Sequence, residues 1–326
     1  MNDFLARRKQ GLGASDIAAI LGLNPYRTPV DVYLDKIGAT DDSDSLRLRF
    51  GREAEEFVAQ EYAKITGQKV VRHNALLKHR EFPNVIGNID RLVVTNGKVA
   101  AHQGQIRTWL GLECKTVGGW MFQQGDWGEA GSDKVPFPYL VQCLVYMELT
   151  GCTQWDLAAL VGAGEKLVIY HIPANPELAR KLCAKAQDFW DNHIAKRIPP
   201  DPTCSADVDK FFPTAEKEQK YASDFDCANV LRLKEIREQE KKLSEEKETL
   251  HMHLKSSMGT ANELIDPDGK KLATWNNRKG RSMFDLRTML AYQNPGALDE
   301  EIDLLCYSAS EQFTKQSPSG RTLLIK

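Results

Sequence analysis

Two hydrophobic periods alternate along the first 200 residues. Apolar side chains spaced three and four apart predict helices, and the longest runs from about 46 to 66, where Gly67 ends it. Between 69 and 117 the period changes, and short runs of alternating apolar residues predict strands over 69–77, 85–95, 98–105 and 109–117. Asn96-Gly97 predicts a hairpin turn between the second and third of these strands.

Further helices and strands complete the pattern. Ser15 is placed to act as the N-cap of a short helix that runs through Gly22, and Pro29 fits the first turn of the next helix. After residue 117 the pattern predicts helices over about 138–150 and 176–196, and strands over 155–161 and 166–172. Helices and strands mixed in this way predict an α/β domain.

A proline-rich run from 199 to 202 interrupts the pattern and predicts a boundary after residue 200. Beyond it, eleven of the fifteen residues from 234 to 248 are charged, and Ile236, Leu243 and Leu250 lie seven apart. This predicts a solvated helix whose one apolar seam packs on its neighbour, since three heptad positions are too few for a coiled coil. The expected parts of the chain are 1–200, a charged helical segment over 201–258, and a small α+β region over 259–326. In the last of these, the pattern predicts a strand over 271–275, a helix over 284–292 and a strand over 321–325.

Composition and charge exclude several classes of protein. The chain has 326 residues, 42% of them hydrophobic and 27% charged, which is typical of a globular protein. The net charge of −2 argues against a protein that coats nucleic acid by bulk charge, although it allows a local basic groove. The seven cysteines show no zinc-finger spacing, so we expect reduced thiols in a cytoplasmic protein. The N-terminus lacks the apolar stretch of a signal peptide, and no run of about 18 apolar residues predicts a membrane span.

Candidate chemistry is concentrated at Asp90, Glu113 and Lys115. Residues two apart on a strand point to the same face, so Glu113 and Lys115 are expected to project side by side while Cys114 points the other way. If Asp90 lies on an adjacent strand, two carboxylates and the Cys114 backbone carbonyl converge, and such oxygen ligands suit Mg²⁺ or Mn²⁺. A lysine beside them can orient a water, help to deprotonate it and balance charge in a transition state.

A structural role is the alternative for the same residues. Glu113 and Lys115 could form a surface ion pair, and Asp90 could belong to a turn. The apolar neighbours Ile89 and Leu112 weigh against this alternative, because charges in largely apolar strands need a partner or a metal ion.

Asp90 followed by Glu113-Cys114-Lys115 resembles the D…(D/E)-x-K signature of the PD-(D/E)XK nucleases. The surrounding sequence resembles one branch of that superfamily, the YqaJ-like viral recombinases, which are relatives of phage lambda exonuclease. Four segments carry this resemblance in the expected order: 8–38, 50–70 (FGREAEEFVAQEYAKITGQKV), 138–151 (PYLVQCLVYMELTG) and 189–200. The resemblance covers about residues 1–200 and implies the PD-(D/E)XK nuclease core, a mixed central sheet flanked by helices.

The resemblance also implies roles for further residues. Glu55 would complete the metal site from its helix; Glu53 is the alternative, and the four-residue offset from Gly51 favours Glu55. Gln142 would orient the nucleophilic water or a metal ligand, and Tyr139 would lie one helical turn away at the cleft; core packing is the alternative for both. The implied catalytic residues are Glu113, Lys115, Asp90, Glu55, Gln142 and Tyr139, and the implied metal ligands are Asp90, Glu113, Glu55 and the Cys114 carbonyl.

Arg8 and Ser15 are seven apart, which matches the residues that receive the 5′ phosphate of DNA in lambda-type exonucleases. Ser15 lies at a predicted helix start, where backbone N–H groups favour an anion, and Arg8 offers a bidentate guanidinium. The alternative is that Arg8 is a solvated basic residue and Ser15 only a cap.

The resemblance implies a Mg²⁺-dependent exonuclease, with Mn²⁺ as a substitute, that degrades one strand of linear double-stranded DNA from 5′ to 3′. Its setting would be phage-type homologous recombination in the cytoplasm of a bacterial host. A ring-shaped homotrimer and a single-strand annealing protein as partner are implied in the same way. Two alternatives stay open: a structure-selective or site-specific endonuclease, and a non-catalytic scaffold that binds DNA ends.

Overall fold

A five-stranded mixed sheet lies at the centre of the N-terminal unit of the chain. The computed structural model describes residues 9–39, 46–95, 97, 99–102, 105–162, 164–277 and 286–313. It divides the chain into two compact units, Met1–Phe211 and Phe212–Lys326. The three-part division of the chain at residues 200 and 258 stays a prediction.

The N-terminal unit contains both helices and short strands. Among the described residues, its α-helices are α1 (Ala14–Ile20), α2 (Pro29–Lys36), α3 (Leu46–Thr66), α4 (Gly119–Gln124), α5 (Phe137–Thr150), α6 (Pro176–Phe189) and α7 (Ser205–Phe211), and a π-helical turn, Trp190–Ile194, follows α6. Its strands are β1 (Val70–Arg72), β2 (Leu77–Lys78), β3 (Ile86–Gly87), β4 (Arg91–Val93), β5 (Ala101–His102), β6 (Gln105–Ile106), β7 (Leu110–Val117), β8 (Gln154–Val161) and β9 (Lys166–Pro173).

The sheet has the strand order β1-β4-β7-β8-β9. β7 and β8 run parallel, in register from the Leu110–Gln154 pair to the Val117–Val161 pair, and the other neighbours are antiparallel. Parallel neighbours need a crossover connection, and the chain between β7 and β8 supplies it with α4 and α5. The expected fold class, a mixed sheet flanked by helices, is confirmed.

The residues of β7 alternate between the two faces of the sheet. Leu110, Leu112 and Cys114 belong to a buried apolar cluster with residues of α3. Glu113 and Lys115 therefore lie on the opposite face, because successive side chains of a strand point to opposite sides. This alternation is the one that the spacing of Glu113 and Lys115 predicts.

Two polar contacts fix α3 on the sheet. At the first, the guanidinium groups of Arg91 and Arg72 donate to the Glu56 carboxylate at 2.8 and 2.9 Å. At the second, the buried Tyr62 hydroxyl donates to Asp156 Oδ2 at 2.6 Å. Glu56 therefore ties α3 to β1 and β4, and Tyr62 ties it to β8.

The pairing of β4 differs from the prediction. Both edges of β4 are occupied, by β1 and β7, so the hairpin that Asn96-Gly97 predicts with the following strand does not form there. Instead, β5 (Ala101–His102) and β6 (Gln105–Ile106) pair with each other as separate antiparallel strands. Gly97 does adopt the left-handed conformation, with φ of 66°, while Asn96 lies outside the described residues. The predicted strands over 69–77 and 85–95 are also shorter than expected.

The N-terminus of α1 is capped differently from the prediction. Gly13, and not Ser15, is the N-cap, and Ser15 lies inside the first turn. The reason is that the Asp16 carboxylate accepts a hydrogen bond from the Gly13 N–H at 3.0 Å, which starts the helix two residues earlier. The helix ends at Ile20 and not at Gly22.

The C-terminal unit is helical with one small hairpin. It contains α8 (Asp224–Met258), β10 (Glu263–Ile265), β11 (Lys271–Thr274), α9 (Leu286–Gln293) and α10 (Asp299–Phe313). Leu243 and Leu250 are exposed, so the predicted apolar seam of α8 does not pack on another described element of this unit. The strand predicted over 321–325 lies outside the described residues. Among the helices that the structure describes, none is long and apolar enough to cross a membrane.

A buried ion cluster connects α1, α2 and the loop between them. Asp16 is fully buried, and its carboxylate pairs with the equally buried Lys36 at 2.8 Å and with Arg27. Arg27 also pairs with Asp35 at 2.6 Å. Burial alone raises the pKa of Asp16, but the positive charges of Lys36 and Arg27 outweigh it and hold the pKa at about 2.

We expect Asp16→Asn to lower the free energy of unfolding by about 3–5 kcal/mol at neutral pH, because the buried Lys36 ammonium loses this carboxylate. The folded pKa of Asp16 lies below its ordinary value of 3.8, so the stabilisation is complete above about pH 4 and is lost as the pH falls towards 2. Urea unfolding at neutral and acidic pH measures both effects. Glu61→Gln, which removes an exposed pair with Lys64, should cost at most about 1 kcal/mol. A loss that small for Asp16→Asn would contradict the role of the cluster.

Candidate active site

Asp90 directly precedes β4 and reaches across to β7. The N–H group of Cys114 donates to Asp90 Oδ2 at 2.9 Å. Arg91 of β4 is paired with Leu112 of β7, so this contact continues the pairing of the two strands. Asp90 therefore lies next to Glu113, although 23 positions separate them in the sequence.

Glu113 is the centre of a buried polar group on the α5 side of the sheet. Only 1% of its surface is exposed. Its Oε1 atom accepts hydrogen bonds from Lys115 Nζ and, at 2.5 Å, from Gln142 Nε2. The same Gln142 amide donates to the Tyr146 hydroxyl at 3.0 Å. Both hydrogens of the Gln142 amide are thus used, and its orientation fixes the Glu113 carboxylate.

The second oxygen of Glu113 has a different environment. Oε2 is buried and has no hydrogen-bond partner among the described residues. A buried carboxylate oxygen without a partner is costly, and native proteins keep one mainly where a ligand completes the site. This atom is the clearest sign that a cation belongs beside Glu113.

Tyr139 lies beside Lys115. The Lys115 ammonium is 5.7 Å from the centre of the Tyr139 ring, which is within the range of a cation–π contact. The Trp127 ring also contacts the Tyr139 ring, with ring centres 5.5 Å apart. The structure thus places Tyr139 at the same site as Glu113 and Lys115.

Of the two glutamates considered on α3, Glu55 is the less exposed and is influenced by the charges of the site. Glu53 is exposed, whereas Glu55 is half-buried. Burial, and then the negative charge of Asp90, raise the pKa of Glu55 to about 7, although Lys115 opposes the shift. The electrostatic influence of Asp90 and Lys115 shows that Glu55 shares their surroundings.

The site carries more negative than positive charge. Burial, and then the charge of Asp90, raise the pKa of Glu113 to about 8 in spite of its contact with Lys115. Burial by itself lowers the pKa of Lys115, but the carboxylates of Glu113 and Asp90 raise it above the ordinary value for lysine. Three carboxylates with one lysine form a site that favours an added cation.

The residues present fit a divalent cation with oxygen ligands. Across the residues that the structure describes, no three His, Cys, Asp or Glu side chains lie close enough together to hold a metal ion by themselves. Asp90 and Glu113 do lie together, and the unpartnered Glu113 oxygen offers a ligand position. Carboxylate oxygens suit Mg²⁺ and Mn²⁺, so the donor set matches the expected metal.

The two predicted phosphate-binding residues are only partly described. Ser15 lies in the first turn of α1 and is half-buried. Arg8 lies outside the described residues, so the proximity of the two residues stays a prediction.

Sequence reasoning missed several residues around the site. Tyr146 shares the Gln142 amide, and its position one helical turn after Gln142 could have indicated this. Arg91 is buried and donates to the backbone carbonyl of Asp90 at 2.8 Å as well as to Glu56. The adjacent charged residues Glu55-Glu56 and Asp90-Arg91 could have indicated this role. In each pair the first residue belongs to the candidate site, and the second forms a hydrogen bond that connects α3 with β4.

Comparisons with known proteins concern the family of the chain. Residues 3–153 match the family model of the YqaJ-like viral recombinase domain. The resemblance found in the sequence is therefore confirmed over this segment of the chain. The YqaJ protein of Bacillus subtilis (strain 168), described as uncharacterized, is 29% identical over 269 residues, which cover 80% of this chain and 79% of that one.

Two exonucleases are among the solved structures with some similarity. The alkaline exonuclease LHK-Exo from Laribacter hongkongensis has a TM-score of 0.45 and 16% identity, over 61% of this chain and 94% of that one. A phage related exonuclease from Haemophilus somnus 129PT has a TM-score of 0.38 and 12% identity, over 60% of this chain and 99% of that one.

Gln142→Met is expected to lower the free energy of unfolding by about 1–3 kcal/mol, because the buried Glu113 carboxylate and the Tyr146 hydroxyl both lose a donor. Urea unfolding in the presence of chelator measures this effect without a contribution from metal. Gln124→Met, at an exposed glutamine of α4, should leave the stability unchanged. Equal stability of the two variants would show that the Gln142 amide does not hold Glu113.

Proposed function

We propose that this protein is a metal-dependent deoxyribonuclease that degrades one strand of linear duplex DNA from the 5′ end. The observation that carries the proposal is the meeting of Asp90, Glu113 and Lys115 at one buried site, with one Glu113 oxygen left without a partner among the described residues. The YqaJ-like viral recombinase domain supports a role in phage-type recombination.

Asp90 and Glu113 would hold the metal ion, with the Cys114 carbonyl and Glu55 as the further ligands that the family resemblance implies. Mg²⁺ is the expected ion, and Mn²⁺ its substitute. A bound cation of this kind supplies Lewis-acid stabilisation of the charge that develops on the phosphate.

Lys115 would act through its positive charge. Burial by itself lowers the pKa of Lys115, but the carboxylates of Glu113 and Asp90 outweigh burial and raise the pKa, which favours the ammonium form. Its ammonium can hold a phosphate oxygen or orient the attacking water. Hydrolysis then places the hydroxyl of water on phosphorus and a proton on the leaving oxygen, and the amine itself is unchanged.

Gln142 would act as a positioning residue. Its amide contacts Glu113 and Tyr146, so it fixes the direction of the carboxylate. Of the two roles considered for Gln142, this arrangement supports the orientation of a metal ligand. Tyr139 would hold the Lys115 ammonium at the edge of the site through its ring.

The finer parts of the function rest on the family resemblance. Arg8 and Ser15 would receive the 5′ phosphate of the strand that is degraded, which sets the 5′-to-3′ direction. A ring-shaped homotrimer around DNA, a single-strand annealing protein as partner and action in the bacterial cytoplasm follow from the same resemblance.

We expect Glu113→Gln and Lys115→Met to reduce nucleotide release from linear duplex DNA with Mg²⁺ at least about a hundredfold, because each removes a group that stabilises the transition state. DNA binding should survive in both variants. The matched control is Glu53→Gln, an exposed glutamate close to Glu55 on α3, which should keep the normal rate. Closed circular duplex should resist the unchanged protein, and nicking of circles at the linear rate would indicate an endonuclease. A near-normal rate in either active-site variant would mean that the contact between Glu113 and Lys115 has only a structural role.

Metal dependence should appear both in cleavage and in stability. Mg²⁺ and Mn²⁺ should support turnover, while Ca²⁺ should support DNA binding only, because its looser coordination positions the attacking water poorly. Without DNA, Mn²⁺ should raise the melting temperature of the unchanged protein but not of Glu113→Gln, since a ligand stabilises only the state that binds it. Full activity in excess chelator would refute a metal-dependent mechanism.

If Arg8 and Ser15 hold a terminal phosphate, 5′-phosphorylated duplex should be degraded roughly ten- to a hundredfold faster than 5′-hydroxyl duplex, which corresponds to a charge-assisted contact of about 1.5–3 kcal/mol. Arg8→Ala should remove this preference by slowing the phosphorylated substrate. Arg7→Ala tests whether a neighbouring positive charge is sufficient, and it should keep the preference. If the unchanged protein degrades 5′-phosphorylated and 5′-hydroxyl duplexes at equal rates, Arg8 and Ser15 do not support a 5′-to-3′ direction.

A further inference from the structure

An exposed apolar rim follows the strand that carries Glu113 and Lys115. The helix α4 begins two residues after β7 ends, and none of its six residues is buried. Trp120 is 70% exposed and Met121 is 41% exposed. The Tyr26 hydroxyl lies 3.8 Å from the Met121 sulfur, so the loop between α1 and α2 joins the same surface. We call Tyr26, Trp120 and Met121 the aromatic platform.

A row of aromatic rings connects α4 with the active site. Phe122 stacks on Trp127, with ring centres 5.3 Å apart and planes inclined by 26°. Trp127 in turn contacts Tyr139, and the Tyr139 ring lies beside the Lys115 ammonium. The row therefore leads from α4, the helix that carries Trp120 and Met121, to the point at which a phosphodiester bond would be hydrolysed.

Positive charge lies along the same row. The Lys166 ammonium of β9 is 4.7 Å from the centre of the Phe122 ring. With Lys115 at the far end, a lysine therefore accompanies the row at both ends. Aromatic rings combined with lysines form the kind of surface on which single-stranded nucleic acids bind, since bases stack on the rings and phosphates meet the charges.

We propose that the aromatic platform stacks on unpaired bases of the DNA strand that passes through the active site. This inference rests on the proposed nuclease function. Lys115 and Trp120 are five positions apart in the sequence, so their Cα atoms are at most about 18 Å apart. Stacked nucleotides of one strand advance about 3.4 Å each, which places the platform within roughly five nucleotides of the cleaved bond.

The size and position of the platform favour a nucleobase over a protein partner. A stable protein interface takes about 800 Å² from each partner, whereas the platform consists of three side chains beside a catalytic group. Stacking on a ring also tolerates every base, which suits an enzyme that must proceed through any sequence. Bases within a duplex stack on one another, so the ligand is unpaired DNA.

One member of the platform, Tyr26, adjoins the ion cluster of the N-terminal unit. Arg27 follows Tyr26 directly and pairs with the fully buried Asp16. The loop that presents Tyr26 is therefore fixed to the core. A surface that is ordered before binding loses less conformational entropy when a ligand is bound.

The test measures binding of single-stranded DNA by the full chain in chelator, where no cleavage occurs. The probe is a fluorescent oligothymidylate of about 12 nucleotides, a length within the usual site sizes of single-strand binding proteins. Trp120→Ala should weaken binding about tenfold, and Trp120→Phe should restore most of it, because it keeps a ring. The control is Trp109→Ala, since Trp109 is 43% exposed at the opposite end of β7 and should not contribute.

A second probe removes the bases but keeps the backbone. An oligonucleotide of the same length made of abasic sites should bind the unchanged protein and Trp120→Ala equally. Unchanged thymidylate binding by Trp120→Ala, or an equal loss with both probes, would overturn the inference. A changed oligomeric state of Trp120→Ala in light scattering would also overturn it, by assigning the platform to a protein interface. Binding is measured in chelator, without cleavage. The binding result can therefore be interpreted even if the nuclease assay fails.

Discussion

One backbone N–H group determines where the two carboxylates of the candidate site meet. The N–H of Cys114 donates to Asp90, while the neighbouring residue Glu113 turns its side chain to the face where α5 packs. Had Asp90 bonded one residue earlier or later on β7, its carboxylate would face a different side-chain pair. The pairing of β4 with β7 is therefore the constraint on which the site depends.

Two buried carboxylates of this protein show opposite electrostatic outcomes. Asp16 has two cations beside it, and its pKa falls to about 2. Glu113 shares the single cation Lys115 with other carboxylates, and its pKa rises to about 8. Both side chains are inaccessible to solvent, so the difference comes from the nearby charges, which are two cations at Asp16 but both Asp90 and Lys115 at Glu113. Asp16 stabilises the fold as it stands, whereas Glu113 is stabilised only when a further cation is added.

The sequence predicts the local features of the fold better than its long-range pairing. The spacing of apolar residues predicts α3 and α5, and the i, i+2 rule places Glu113 and Lys115 on one face of β7. The neighbours of β4 could not be predicted in the same way, because Asn96-Gly97 favours a local hairpin while pairing with β1 and β7 depends on residues far apart in the chain. Likewise, the cap of α1 comes from Asp16, whose side chain also serves distant cations, and a local preference for serine does not contain that information.

The two anchors of α3 make part of this helix a segment of fixed length. Arg91 binds Glu56, and Asp156 binds Tyr62, which lies six residues after Glu56 on the helix. Since a helix turns by about 100° with each residue, an insertion between these anchors would turn one of them away from its partner and would rotate Glu55 relative to Asp90. Insertions and deletions within residues 56–62 are thus incompatible with the site. Relatives of this protein should accordingly keep the same number of residues between the two anchors.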